Sequence, residues 1–138
     1  MYNVLVADGE LHLTRHLLDN FDREHYHFVF AETQTQALNR IDTPGKKYDL
    51  VVIDIRTTGI HSFFEQVHPA LEDATMCPLV GRHLVRILRE ERLLNIPVLI
   101  YSADPEAFNV AEQYGVKFAP KTDLLEPYIR QILEDEQG

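Results

Sequence analysis

The stretch Tyr48–Gly59 reads YDLVVIDIRTTG, and Leu50–Ile55 within it is apolar throughout except for Asp54. A continuous run of mostly branched aliphatics predicts a strand buried on both faces, as in a parallel sheet. A carboxylate at the C-terminal end of such a strand is not explained by packing. Open α/β sheets present their sites just beyond the carboxyl ends of the strands, so Asp54 is the first candidate functional residue. The alternative is an acid that only caps the strand exit.

The rest of the chain alternates strands with helices. Asn3–Ala7 is a short apolar strand ending in Asp8-Gly9-Glu10, and Leu13, Leu17, Leu18 and Phe21 then share one helical face. His27–Ala31 predicts a second strand. Thr33 with Gln36 suggests a capping box for a helix through Ala37, Leu38 and Ile41. Asp42–Lys47 is a turn around Pro44-Gly45. Beyond the central strand, Gly81–Arg92 is helical, with Leu84, Ile87 and Leu88 inward. Pro97–Ser102 is another buried strand. Asp104-Pro105 then reads as an N-cap with proline at the first helical position, and Gly115 as the stop. Val116–Ala119 is the last strand. Asp123 with Glu126 is expected to cap a final helix on Leu125, Ile129, Ile132 and Leu133, with Pro127 in its first turn.

This alternation predicts one α/β domain spanning residues 1–138. Its core is a flavodoxin-like, doubly wound five-stranded parallel sheet in the order 2-1-3-4-5. In that order the ends of strands one, three, four and five border one cleft, where Asp8, Asp54, Ser102 and Lys121 would converge. Singly, Ser102 could end a strand, Phe118 could be core and Lys121 a solvated loop lysine. Their joint placement argues for a site.

Composition narrows the function. The 138 residues carry a net charge of −9 and no basic patch, which argues against direct nucleic-acid binding. A single cysteine, Cys77, excludes an internal disulfide framework and suits a reducing cytoplasm. No apolar run approaches membrane-spanning length, and the N-terminus enters a strand without a signal-peptide pattern, so a cytoplasmic location away from the membrane is expected. Among the histidines, His12 and His16 can share a helical face, and His61, His68 and His83 lie near Cys77, but none has zinc-site spacing. A flavodoxin-like cofactor binder is disfavoured, because Asp8-Gly9-Glu10 would repel a phosphate where a glycine-rich loop would cradle one.

With these residues in place, the chain resembles the bacterial response-regulator receiver domain, the family of the stand-alone chemotaxis regulator. LVADGE resembles that family's acidic loop after strand one, and VVIDIRTTG its phosphoacceptor strand and following loop. IYSA resembles the strand-four motif, and FAPK the strand-five motif with its switch aromatic and lysine. The resemblance implies a two-component phosphorelay protein and phosphoprotein rather than a turnover enzyme, with at most self-catalysed phosphoryl transfer and hydrolysis. It implies Asp54 as phosphoacceptor, Ser102 as a hydrogen-bond donor to the phosphoryl group and Lys121 as its point-charge partner. Mg²⁺ would be held by Asp8, Asp54 and the backbone carbonyl of Arg56, and Phe118 would be the switch residue. The implied partners are a histidine kinase or phosphotransfer protein and a downstream protein, met at the Tyr101–Phe118 face (strand four, helix four and strand five) or through the insertion that follows the third strand.

Three departures bear on that expectation. Gly9 stands where the family usually has a second acid, so Mg²⁺ binding is expected to be weak unless Glu10 substitutes. Thr57-Thr58-Gly59 replaces Met-Pro-Gly after the phosphoacceptor. An insertion, about residues 60–80, separates the third strand from the third helix, where the family has a couple of residues. Its apolar content, including Phe63, Phe64 and Val67, argues against disorder and for a lid, a partner-binding element or added core packing. These departures also motivate an alternative, a pseudo-receiver that binds partners independently of phosphorylation.

Overall fold

The computed structural model describes residues 1–9, 14–54, 66, 69–70, 80–92 and 95–137. Its strands are β1 (Tyr2–Ala7), β2 (Tyr26–Ala31), β3 (Leu50–Ile53), β4 (Val98–Ser102) and β5 (Lys117–Pro120). The helices are α1 (Gln34–Ile41), α2 (Val80–Arg86), α3 (Pro105–Tyr114) and α4 (Leu125–Gln137). All strands are parallel and form one sheet in the order β2-β1-β3-β4-β5, the predicted doubly wound topology.

The apolar runs follow from burial on both faces. Leu5, Ala7, Val51, Ile53, Val98 and Ile100 point to one side, against Ala37, Leu38, Leu84, Ile87, Val110 and their neighbours on α1, α2 and α3. Val4, Val6, Leu50, Val52, Leu99 and Tyr101 point to the other, against Leu18, Phe21 and the α4 residues Leu125, Ile129, Ile132 and Leu133. With both faces covered, every position from Val4 to Ala7 and throughout β3 and β4 is buried, while Tyr2 and Asn3 at the start of β1 are partly exposed.

Local signals explain most boundaries. The Thr33 hydroxyl accepts the Gln36 N–H at 3.1 Å, while the Gln36 side-chain oxygen accepts the N–H of Glu32 at 2.8 Å. The capping box is therefore displaced by one residue on its return arm. Asp104 caps α3 by accepting the Glu106 N–H at 3.0 Å, and Gly115 ends that helix in the left-handed region at φ 64°.

Three expectations change. The predicted first helix, in its described part, passes from α-helical Thr14 into a 3-10 turn over Arg15–Leu18; Leu13 and His12 lie outside the described residues. The helix expected over Gly81–Arg92 changes pitch to a π segment at Ile87–Glu91, closed by the Arg92 N–H on the Ile87 carbonyl at 2.8 Å. Arg92 then forms a two-pronged ion pair with Asp42 at 2.9 and 3.1 Å, tying this end to the end of α1. The Asp123/Glu126 box does not form: the Asp123 carboxylate takes the Tyr128 hydroxyl at 2.6 Å and Glu126 pairs with Arg130 at 2.9 Å. Tyr101, where the expected Tyr101–Phe118 face begins, turns its own ring onto α4 by the period of two along β4.

Glu10, Arg56, His61, Phe63, Phe64, Val67, His68 and Cys77 lie outside the described residues, and so does most of the predicted insertion. Within that insertion Ala70 is described, and it packs against the core layer beneath α1–α3. Among the described residues, no helix is long and apolar enough to cross a membrane.

Candidate functional site

The sheet order reverses direction between β1 and β3, and that switch point is where a crevice opens beyond the carboxyl ends of the strands. Asp8 and Asp54 flank it. Ala7 is in register with Ile53, so the two acids leave neighbouring strands one step later, at a strand spacing of about 4.8 Å. Their backbones are fixed by ladder continuations: the Asp54 N–H donates to the Ala7 carbonyl at 3.0 Å, and the Asp8 N–H to the Ala31 carbonyl at 2.9 Å. Both acids are buried, at 2% and 3% exposure.

On the other side, Ser102 ends β4 in register with Pro120, and the Lys121 N–H donates to the Ser102 carbonyl at 3.2 Å. The four predicted residues thus gather at one end of the sheet. The Lys121 ammonium contacts the Asp54 carboxylate directly. The Ser102 hydroxyl oxygen accepts the Asp104 N–H at 3.1 Å, which links the pocket to the first turn of α3. Phe118 lies on β5 opposite Ile100, half-buried, edge-on to Phe108 at 5.6 Å.

Two participants escaped sequence reasoning. The Thr14 hydroxyl donates to the Asp8 carboxylate, and Thr14 is itself buried. A threonine six positions after an acid carries no pattern of its own; only the fold returns it to the strand end. The Tyr101 ring lies 5.8 Å from the Lys121 ammonium. Burial pushes the Tyr101 phenol up. Lys121 opposes that rise, and the charges of Asp8, Asp123 and Asp54 add to it.

Two buried carboxylates and a lysine share a poorly solvating place, where charged groups call for compensating charge. A divalent cation is one group that could add it. Among the described residues no cluster of three or more metal-ligating side chains forms. Mg²⁺ nevertheless needs only one or two protein carboxylates and otherwise keeps water, so the oxygen donors of Asp8 and Asp54 fit that ion.

No family model and no curated protein matches this sequence. Solved structures do resemble it. The receiver domain of a Francisella response regulator shares 24% identity over 100% of both chains, with a TM-score of 0.67. A CheY-like receiver domain protein from Methanospirillum hungatei shares 16%, covering 99% of this chain and 98% of that one, with a TM-score of 0.66. The response regulator TrrA from Thermotoga maritima, solved in complex with Mg²⁺-BeF, shares 17% over 96% of this chain and 99% of its own, with a TM-score of 0.62. At these identities the likeness is one of architecture: the chain has the fold of a response-regulator receiver domain.

Proposed function

We propose that this protein is a phosphorylatable receiver of a two-component relay. The observation that carries the reading is the gathering of Asp8, Asp54, Ser102 and Lys121 at one end of the sheet, with both acids buried. In the transfer an Asp54 carboxylate oxygen attacks the donor phosphorus in line. The bond from phosphorus to the donor breaks, and the donor leaves as a histidine imidazole or, from acetyl phosphate, as acetate. Asp54 becomes an acyl phosphate, and Lys121, already against that carboxylate, re-pairs with a phosphoryl oxygen. Ser102 donates its hydroxyl proton to another. Asp8, Asp54 and the Arg56 carbonyl would hold Mg²⁺, with Glu10 as a stand-in for the acid missing at Gly9. When bound, that ion neutralises charge building on the phosphoryl oxygens. Phe118 and the exposed Phe108 beside it would carry the change to a downstream partner, in a cytoplasmic pathway fed by a histidine kinase or phosphotransfer protein.

Incubation with Mg²⁺ and acetyl phosphate should add one phosphoryl group by intact mass, and Asp54→Ala should abolish the gain. Absence of both a mass gain and any NMR response to beryllofluoride would sink the reading. The second reading, a pseudo-receiver, is favoured by Gly9 beside Asp8. It requires that a partner bind Asp54→Ala as tightly as the parent chain.

A further inference from the structure

The sheet has two edges, and only one is blunted. β5 is short, carries exposed Lys117 and ends in Pro120, features that discourage strand addition. β2 reads YHFVFA over Tyr26–Ala31 and has neither device. The Tyr2 N–H donates to the His25 carbonyl at 2.7 Å and the Asp8 N–H to the Ala31 carbonyl at 2.9 Å. Residues of this parity in β2 therefore face β1. In a parallel ladder Tyr26, Phe28 and Phe30 then turn their backbone groups outward. The Tyr26 N–H is taken by the Asp22 carbonyl at 3.1 Å, and the Phe30 carbonyl by the Arg40 side chain at 2.9 Å. Among the described residues, the Tyr26 carbonyl, both Phe28 groups and the Phe30 N–H have no partner.

The side chains of the same three residues, with Phe21, floor a groove of about 410 Å³ alongside the strand. Its lining carries two arginines, Arg15 and Arg23, against one acid, Asp19, in a chain of net charge −9. The exposed Arg15 guanidinium lies 4.5 Å from the centre of the Phe30 ring, and Arg23 is exposed nearby. Neither arginine has a carboxylate partner among the described residues. Asp19, which also lines the groove, contacts His16 at 3.6 Å, and Asp22 contacts His25 at 2.7 Å.

We propose that the β2 edge and this groove take up an extended, acidic segment of a partner protein by strand addition. The segment's main chain would bond Phe28 and its flanking groups. An apolar side chain would rest on the aromatic floor, and carboxylates two residues to either side would meet Arg15 and Arg23. A second copy of this chain is the competing occupant. A two-fold pairing of β2 edges sets the arginines of each groove against their own duplicates. Charge complementarity thus selects an acidic segment.

The test is an NMR titration with the capped peptide glutamate-threonine-valine-threonine-glutamate and its counterpart with lysine at both ends. The acidic peptide should shift the amides of Tyr26–Ala31 and of the Arg15–Leu18 turn, and slow hydrogen exchange at the Phe28 and Phe30 N–H groups. Affinity should fall about tenfold or more in the double variant Arg15→Glu, Arg23→Glu, about 1.4 kcal/mol by the usual conversion. Both side chains are exposed, and circular dichroism checks that this variant folds. Equal affinity for the lysine peptide, shifts confined to another face, or concentration-dependent self-association through the same β2 amides would overturn the proposal.

Discussion

Asp8 and Asp54 occupy equivalent places at the ends of adjacent strands, yet they keep different company: a threonine hydroxyl at Asp8 and a lysine ammonium at Asp54. A hydroxyl donates to a carboxylate without carrying a charge of its own, so the Thr14 contact leaves the Asp8 carboxylate able to serve as an oxygen ligand. Gly9→Asp adds a third carboxylate beside it and should tighten Mg²⁺ binding and speed phosphorylation from a small donor, while Glu10→Gln should weaken binding if Glu10 is the stand-in ligand. Equal Mg²⁺ affinity of the parent and both variants by NMR titration would discard this account of the pocket. Tyr101 gives a second residue-level expectation. Its phenol, raised chiefly by burial, donates to the Asp123 carbonyl at 3.3 Å. Its stabilising contribution is complete below the unfolded tyrosine pKa of about 10 and is lost as pH climbs through the higher folded value. Tyr101→Phe should cost about 1 kcal/mol at neutral pH and make the alkaline loss of stability shallower, as measured by urea unfolding at a series of pH values.

At the scale of elements, Gly115 is the clearest single point of control. It closes α3 at φ 64°, ψ 34°, and a Cβ built there meets nothing within 4 Å. Any cost of Gly115→Ala is therefore backbone alone, about 1–2 kcal/mol, and Gly115→Asn should recover part of it. A melting temperature unchanged by the alanine would contradict the left-handed stop. The strands and this stop were legible because each rests on residues adjacent in sequence: a branched apolar run, an Asp-Pro pair, a glycine after the last inward side chain. The misses depend on partners brought from afar. Nothing near Ile87 announces a π segment, whose end is tied to Asp42 just past the end of α1. Asp123 offered a plausible cap, but Tyr128 competes for the same carboxylate once α4 is wound. Thr14 reaches Asp8 only because the chain folds back on itself after β1. The four polar strand ends were readable for the opposite reason, since topology alone carries them to one end of the sheet.

Across the whole molecule, the pocket and the outer surface are joined by a short chain of contacts. The Ser102 hydroxyl oxygen accepts the Asp104 N–H at 3.1 Å, and the Asp104 carboxylate accepts the Glu106 N–H at 3.0 Å. A serine hydroxyl has one proton and two lone pairs, so Ser102 can donate to a phosphoryl group while still accepting from Asp104. Drawing Ser102 toward Asp54 would then displace the first turn of α3. That helix carries Phe108, 48% exposed and edge-on to Phe118 of β5. Spatial continuity alone does not establish coupling; the required observation is that a change at one end biases the other. Beryllofluoride with Mg²⁺ should therefore shift NMR signals at Asp54, at the α3 start from Asp104 to Ala107, and at the rings of Phe108 and Phe118. In Ser102→Ala the signals around Asp54 should still respond, because Lys121 and the acids remain, while the response of α3 and of both rings falls to a small fraction of the parent's. A full response at Phe108 and Phe118 in that variant would mean that the signal leaves the pocket by another route.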